Sequence, residues 1–80
     1  MSTEDLFNAA MADTDQAEAL RVLDAAVRER GFRQVEAAGG GEQSTIRKAL
    51  YAGSNPGLST LAAIVGALGY QIALIPKNKQ

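Results

Sequence analysis

The chain has 80 residues, a formal net charge of −1 and neither cysteine nor histidine, a length that makes one domain whose core is marginal alone and that a homodimer would relieve. The missing residue types exclude disulfides, thiolate chemistry, the usual zinc sites and the commonest general base. Hydrophobic residues make up 46% of the sequence, which suits a folded protein, and acidic Glu4 and Asp5 stand where an export signal would be basic, so a cytoplasmic location is expected.

Residues 1–12 form an acidic N-terminal segment in which Ser2, followed three residues later by Asp5, suggests a cap for a short helix carrying Leu6, Phe7 and Ala10. The domain proper is expected over 13–80. Asp15 with Glu18 starts a clearer helix, whose Leu20, Leu23 and Val27 line one face, and Gly31 ends it. Phe32 to Ala38 reads as a short second piece before Gly39, Gly40 and Gly41 break the chain. Glu42 to Ala52 reads as a helix with Ile46, Ala49 and Leu50 inward and Gln43, Ser44, Arg47, Lys48 and Tyr51 outward.

After the loop from Gly53 to Gly57, a last amphipathic helix should bury Leu58, Leu61, Ile64, Val65 and Leu68 and stop at Gly69. The apolar stretch from Leu58 to Ile75 is too interrupted, by Ser59, Thr60, Gly66, Gly69 and Gln71, to be a membrane span. Tyr70 to Ile75, closed by Pro76, reads as a β-strand. A lone strand has no partner in its own chain, so it should pair with a second copy across a twofold axis, antiparallel, with Tyr70, Ile72, Leu74 and Ile75 at the dimer interface.

The small net charge hides an asymmetry. Residues 1–20 carry five acids and no base, whereas residues 21–80 carry all eight bases against four acids. The body is therefore basic, as a phosphate-binding surface requires if the bases converge. Other chemistries fare worse. No Gly-Lys-Ser/Thr follows the three glycines as a phosphate loop would need, Asp13 and Asp15 lack the alternating oxygen ligands of a calcium loop, and no nucleophile has an activating base. No metal, cofactor or catalytic residue is implied.

A short helix, a glycine turn requiring positive φ at Gly40, and a second helix locked by Ile46 describe a unit that can lay its second helix in a DNA major groove. Gln43 and Ser44 would then sit at the end facing the base edges. Gln can pair with adenine through both amide groups, Ser can bond either kind of edge, and Arg47 could take guanine or a phosphate. Lys48 and Arg33 suit phosphate contacts. Gln34 and Thr45 complete the candidate DNA-binding set.

Arg28, Arg30, Gly31 and Phe32, then Gln34, Val35 and Gly40, then Ile46, Ala49 and Leu50, then Asn55, Pro56, Thr60, Leu61, Ala67, Leu68 and Gly69 together resemble the addiction-module antidote proteins, over roughly Val22 to Ile75. The resemblance implies an all-α, lambda-repressor-like helix-turn-helix domain of four to five helices, here with one short C-terminal β-strand. It also implies a transcriptional repressor that binds its own promoter and antagonises a cognate toxin. Glu36 departs from the family's usual alanine between the two helices, where a carboxylate needs solvent or a basic partner such as Arg33. Gly41 replaces a usual apolar residue. The alternative reading of the same residues is a protein-interaction module of this shape that dimerises and binds a toxin or other partner without reading DNA.

Overall fold

The computed structural model describes residues 2–51 and 53–74. Among the described residues five α-helices follow one another: α1 (Thr3–Ala12), α2 (Gln16–Arg30), α3 (Phe32–Val35), α4 (Gln43–Ala49) and α5 (Leu58–Ala67). A widened turn, Glu36–Gly40, continues α3 toward α4. The all-α class follows. Both expected N-caps are made: Ser2 Oγ accepts from the Asp5 N–H at 3.1 Å and Asp15 Oδ1 from the Glu18 N–H at 3.1 Å, each satisfying one of the donors that a helix start leaves without a partner.

The core is one cluster. Leu20, Leu23 and Val27 of α2, Val35 of α3, Ile46 and Ala49 of α4, Leu50, and Ile64, Val65, Ala67 and Leu68 at α5 are all buried, with Phe7, Ala26, Phe32 and Leu61 packed on its edge. Leu23, Val27, Val35, Ile46 and Ile64 lose essentially all their exposure, and burial of side chains of this size is worth about 1.5–3 kcal/mol each before entropy is counted. α1 lies on α2, contributing Phe7 to the core's edge while Leu6 remains 41% exposed.

Two long-range polar ties fix the arrangement. Arg30, in the last turn of α2, donates to the carbonyls of Ala67 and Leu68 at 3.5 and 3.3 Å, placing a cation on the carbonyls that α5 leaves open at its C-terminus. Gln16 Nε2, in the first turn of α2, donates to the Ser54 carbonyl at 3.1 Å and to Asn55 Oδ1 at 3.3 Å. One helix thereby clasps the loop before α5 at one end and the end of α5 at the other.

Two expectations about the helices are corrected, and the expected strand is not shown. The helix expected over Glu42–Ala52 runs only from Gln43 to Ala49, because the Ser54 hydroxyl donates to the Ala49 carbonyl and the Tyr51 N–H turns back to Lys48, which closes the helix early; Ala52 lies outside the described residues. Leu58, expected inward, is 72% exposed, since it occupies the first turn of α5 beside the exposed loop, ahead of the buried stripe. The strand expected over Tyr70–Ile75 is not formed within the chain: residues 70–74 have no regular secondary structure, and Ile75 lies outside the described residues. A strand whose partner is a second copy has no ladder in a single chain.

The glycines divide by physical role. A Cβ built at buried Gly40 would lie 2.5 Å from Val35 Cγ1, 2.9 Å from the Val35 carbonyl oxygen and 3.2 Å from Ala67 Cβ, whereas one at Gly66, within exposed α5 surface, would meet nothing. Gly40→Ala should therefore lower stability by about 1–3 kcal/mol through overpacking, and Gly66→Ala should raise it by about 0.5–1 kcal/mol through helix propensity. Urea denaturation of the two variants checks this, and equal effects would contradict the packing assigned to Gly40.

Candidate functional site

The α3–turn–α4 unit is held from beneath by Val35 and Ile46, both fully buried. Between them the chain reverses through Gly39 and Gly41, with φ of 97° and 107°, values that side chains with a Cβ rarely adopt. Positive φ was expected at Gly40. It falls instead on its two neighbours, and Gly40 is glycine for lack of room against Val35 and Ala67.

Along α4, Ile46, Ala49 and Leu50 face the core, so at 100° per residue Ser44 and Lys48 point away from it, while Gln43 with Arg47 and Thr45 occupy opposite flanks. The contacts agree with this division. On the flank toward α3, Gln43 Nε2 donates to Glu36 Oε1 at 3.1 Å, and the Arg47 guanidinium carbon stands 4.0 Å from the centroid of the Phe32 ring. Arg28, paired with Asp24 at 2.8 Å, approaches the same ring at 5.5 Å. Such cation–π contacts are worth about 0.5–1 kcal/mol at exposed sites. On the other flank, Thr45 and Lys48 line a shallow open groove with Ser54, Asn55, Pro56 and Thr60.

The candidate DNA-binding residues are thus surface residues with different freedom. Arg33 and Gln34 on α3 and Ser44, Thr45, Arg47 and Lys48 on α4 are exposed, and Gln43 is half-buried. Among the described residues, no ion pair engages Arg33, Arg47 or Lys48, so their charges are available to an anion. Glu36 is exposed, as its chemistry requires, but its hydrogen-bond partner is Gln43 and not Arg33.

Sequence reasoning did not find the Phe32–Arg47 cation–π contact, the Glu36–Gln43 hydrogen bond, or Asn55 and Thr60 as walls of the groove beside Lys48. Asn55-Pro56 with Thr60 was visible as a motif but had no assigned position in space. Among the described residues there is no cluster of carboxylates that could hold a metal, and no helix is long and apolar enough to cross a membrane.

The family model described as "Probable addiction module antidote protein" matches residues 2–76. No curated protein matches the chain, and no solved structure does.

Proposed function

The chain belongs to the addiction-module antidote family, and from that premise we propose that it is the antitoxin of a toxin–antitoxin pair and a sequence-specific repressor of its own promoter. In this reading α3–turn–α4 is a lambda-repressor-like helix-turn-helix, with α4 in the major groove and α3 crossing the backbone. The observation that carries it is the outward face of α4. There and on its flank toward α3, Gln43 and Ser44, side chains of the kinds that can bond base edges, precede Arg47 and Lys48, which no ion pair engages among the described residues, on a helix whose position is fixed by buried Ile46. The cation–π contact with Phe32 holds the Arg47 guanidinium at the α3 side of α4, and in this reading its N–H donors engage a phosphate or guanine. Lys48 and Arg33 supply phosphate contacts, with Gln34 and Thr45 at the margins.

The homodimer is part of the same proposal. Tyr70, Ile72 and Leu74 are 39%, 46% and 100% exposed, an apolar edge that pairing with its counterpart across a twofold axis would cover, and a dimer matches DNA half-sites about 34 Å apart. The cognate toxin is the protein partner that family membership supports. A second reading, a toxin-binding module that does not read DNA, draws on Glu36 and Glu42, two carboxylates beside the end of α4 that would approach the bases.

Gln43→Ala should cost about 1–3 kcal/mol on the protein's own upstream DNA with little change in salt slope, whereas Lys48→Ala should weaken upstream and scrambled DNA alike and lower the slope by about one. Fluorescence anisotropy across a salt series measures both, and equal losses for Gln43→Ala on the two DNAs would remove its base-reading role. In sedimentation, the wild-type chain should be a dimer at micromolar concentration and the Ile72→Asp/Leu74→Asp variant a monomer. A wild-type monomer would contradict the strand-paired dimer.

A further inference from the structure

We infer that Glu36 is a positioning residue for base selection: its carboxylate fixes the orientation of the Gln43 amide and so makes α4 select adenine at one base pair of each half-site. This rests on the DNA-reading face proposed above. The two side chains come from opposite sides of the glycine turn, Glu36 at its start and Gln43 in the first turn of α4, and meet at 3.1 Å. A carboxylate can only accept, so the amide nitrogen of Gln43, and not its oxygen, must face Glu36. One N–H is consumed by that bond. One N–H and the carbonyl oxygen remain for a ligand.

A donor and an acceptor side by side complement adenine, which presents N7 as acceptor and N6–H as donor in the major groove. Guanine presents two acceptors there and cytosine a donor. An amide free to rotate can turn its nitrogen to guanine or its oxygen to cytosine and discriminates less. Glu36 removes that freedom before DNA arrives, so the ordering cost of the side chain is already met in the free protein. Two features of the local structure make the arrangement stiff. The turn between the partners is pinned by the contact of Gly40 with Val35 and Ala67, and the neighbouring flank residue, Arg47, is itself held on Phe32.

The charge of Glu36 acts differently from its hydrogen bond, and this separates the two by experiment. A carboxylate near DNA repels every sequence equally. An orienting acceptor alters only the ranking of bases at the pair that Gln43 reads. Glu36→Gln keeps the size and can still bond to Gln43, but its amide both donates and accepts, so either orientation of Gln43 becomes permissible.

The test uses duplexes of the protein's own upstream sequence with each base pair changed in turn, titrated with wild type, Glu36→Gln and Gln43→Ala at one salt concentration, after circular dichroism melts show that the variants fold. Wild type should discriminate about five- to hundredfold against replacement of one A·T pair in each half-site. Gln43→Ala should lose that discrimination, and Glu36→Gln should lose most of it while binding all duplexes more tightly. A Glu36→Gln profile that is uniformly stronger but keeps the wild-type ranking, with Gln43→Ala losing it, would overturn the positioning role and leave DNA reading intact. A wild type with no sequence preference would overturn the DNA-reading proposal and this inference together.

Discussion

The close approach at Gly40 is the contact on which the geometry of the surface depends. At this residue the backbone leaving α3 lies so near Val35 that a single methyl group would collide with it, and that methyl would also press tightly on Ala67. The contact joins three elements at once: α3 through Val35, the turn through Gly40 itself, and α5 through Ala67. With the turn seated this deeply, α4 has one place to start, and the burial of Ile46, Ala49 and Leu50 then sets its rotation about its own axis. Glycine at 39 and 41 supplies the positive φ that lets the chain enter and leave so tight a contact.

From that rotation follow the roles of the exposed side chains. One flank of α4 meets α3 and finds Glu36 and Phe32, which hold Gln43 and Arg47. The side away from the core is exposed at Ser44 and Lys48, where Lys48 also lines the groove beside Asn55 and Thr60. A DNA-binding face could use both kinds of side chain, a held amide at Gln43 for a base edge and the charge of Lys48 for phosphate, because base contacts gain from fixed geometry while phosphate contacts need mainly charge. The acids that make the whole chain slightly negative lie mostly in residues 1–20, where Asp15 caps α2 and Glu18 pairs with Arg21, so net charge says little about this face.

Local features were legible in the sequence, and features joining distant residues were not. The caps at Ser2 and Asp15, the stops at Gly31 and Gly69, and the inward stripes of α2, α4 and α5 depend on residues within a turn or two of one another, and the sequence displays those spacings directly. The end of α4 was misread because the group that closes it, the Ser54 hydroxyl, comes from the following loop. Leu58 was misread because periodicity does not say where a helix outruns its core. Arg30 stood in the sequence only as one residue of the family resemblance, with no structural role assigned, yet it caps a helix 37 residues away. Glu36 was expected to need solvent or a basic partner such as Arg33; it is exposed, and its hydrogen-bond partner is the neutral Gln43, whose proximity depends on the path of the glycine turn.

The central claim is that the outward face of α4, set by this turn, is the surface that meets DNA. The most direct measurement is a two-dimensional NMR titration of the isotope-labelled protein with a duplex of its own upstream sequence and, separately, with scrambled duplex. The account predicts that the largest amide shifts fall on residues 33–36 and 42–48, with the loop at Ser54 and Asn55 beside them, and that at Gln43 and Ser44 they are larger for the upstream duplex. Shifts centred on α1 or on residues 70–74, or no shifts at low salt, would contradict it and turn attention to protein partners as the occupants of this face.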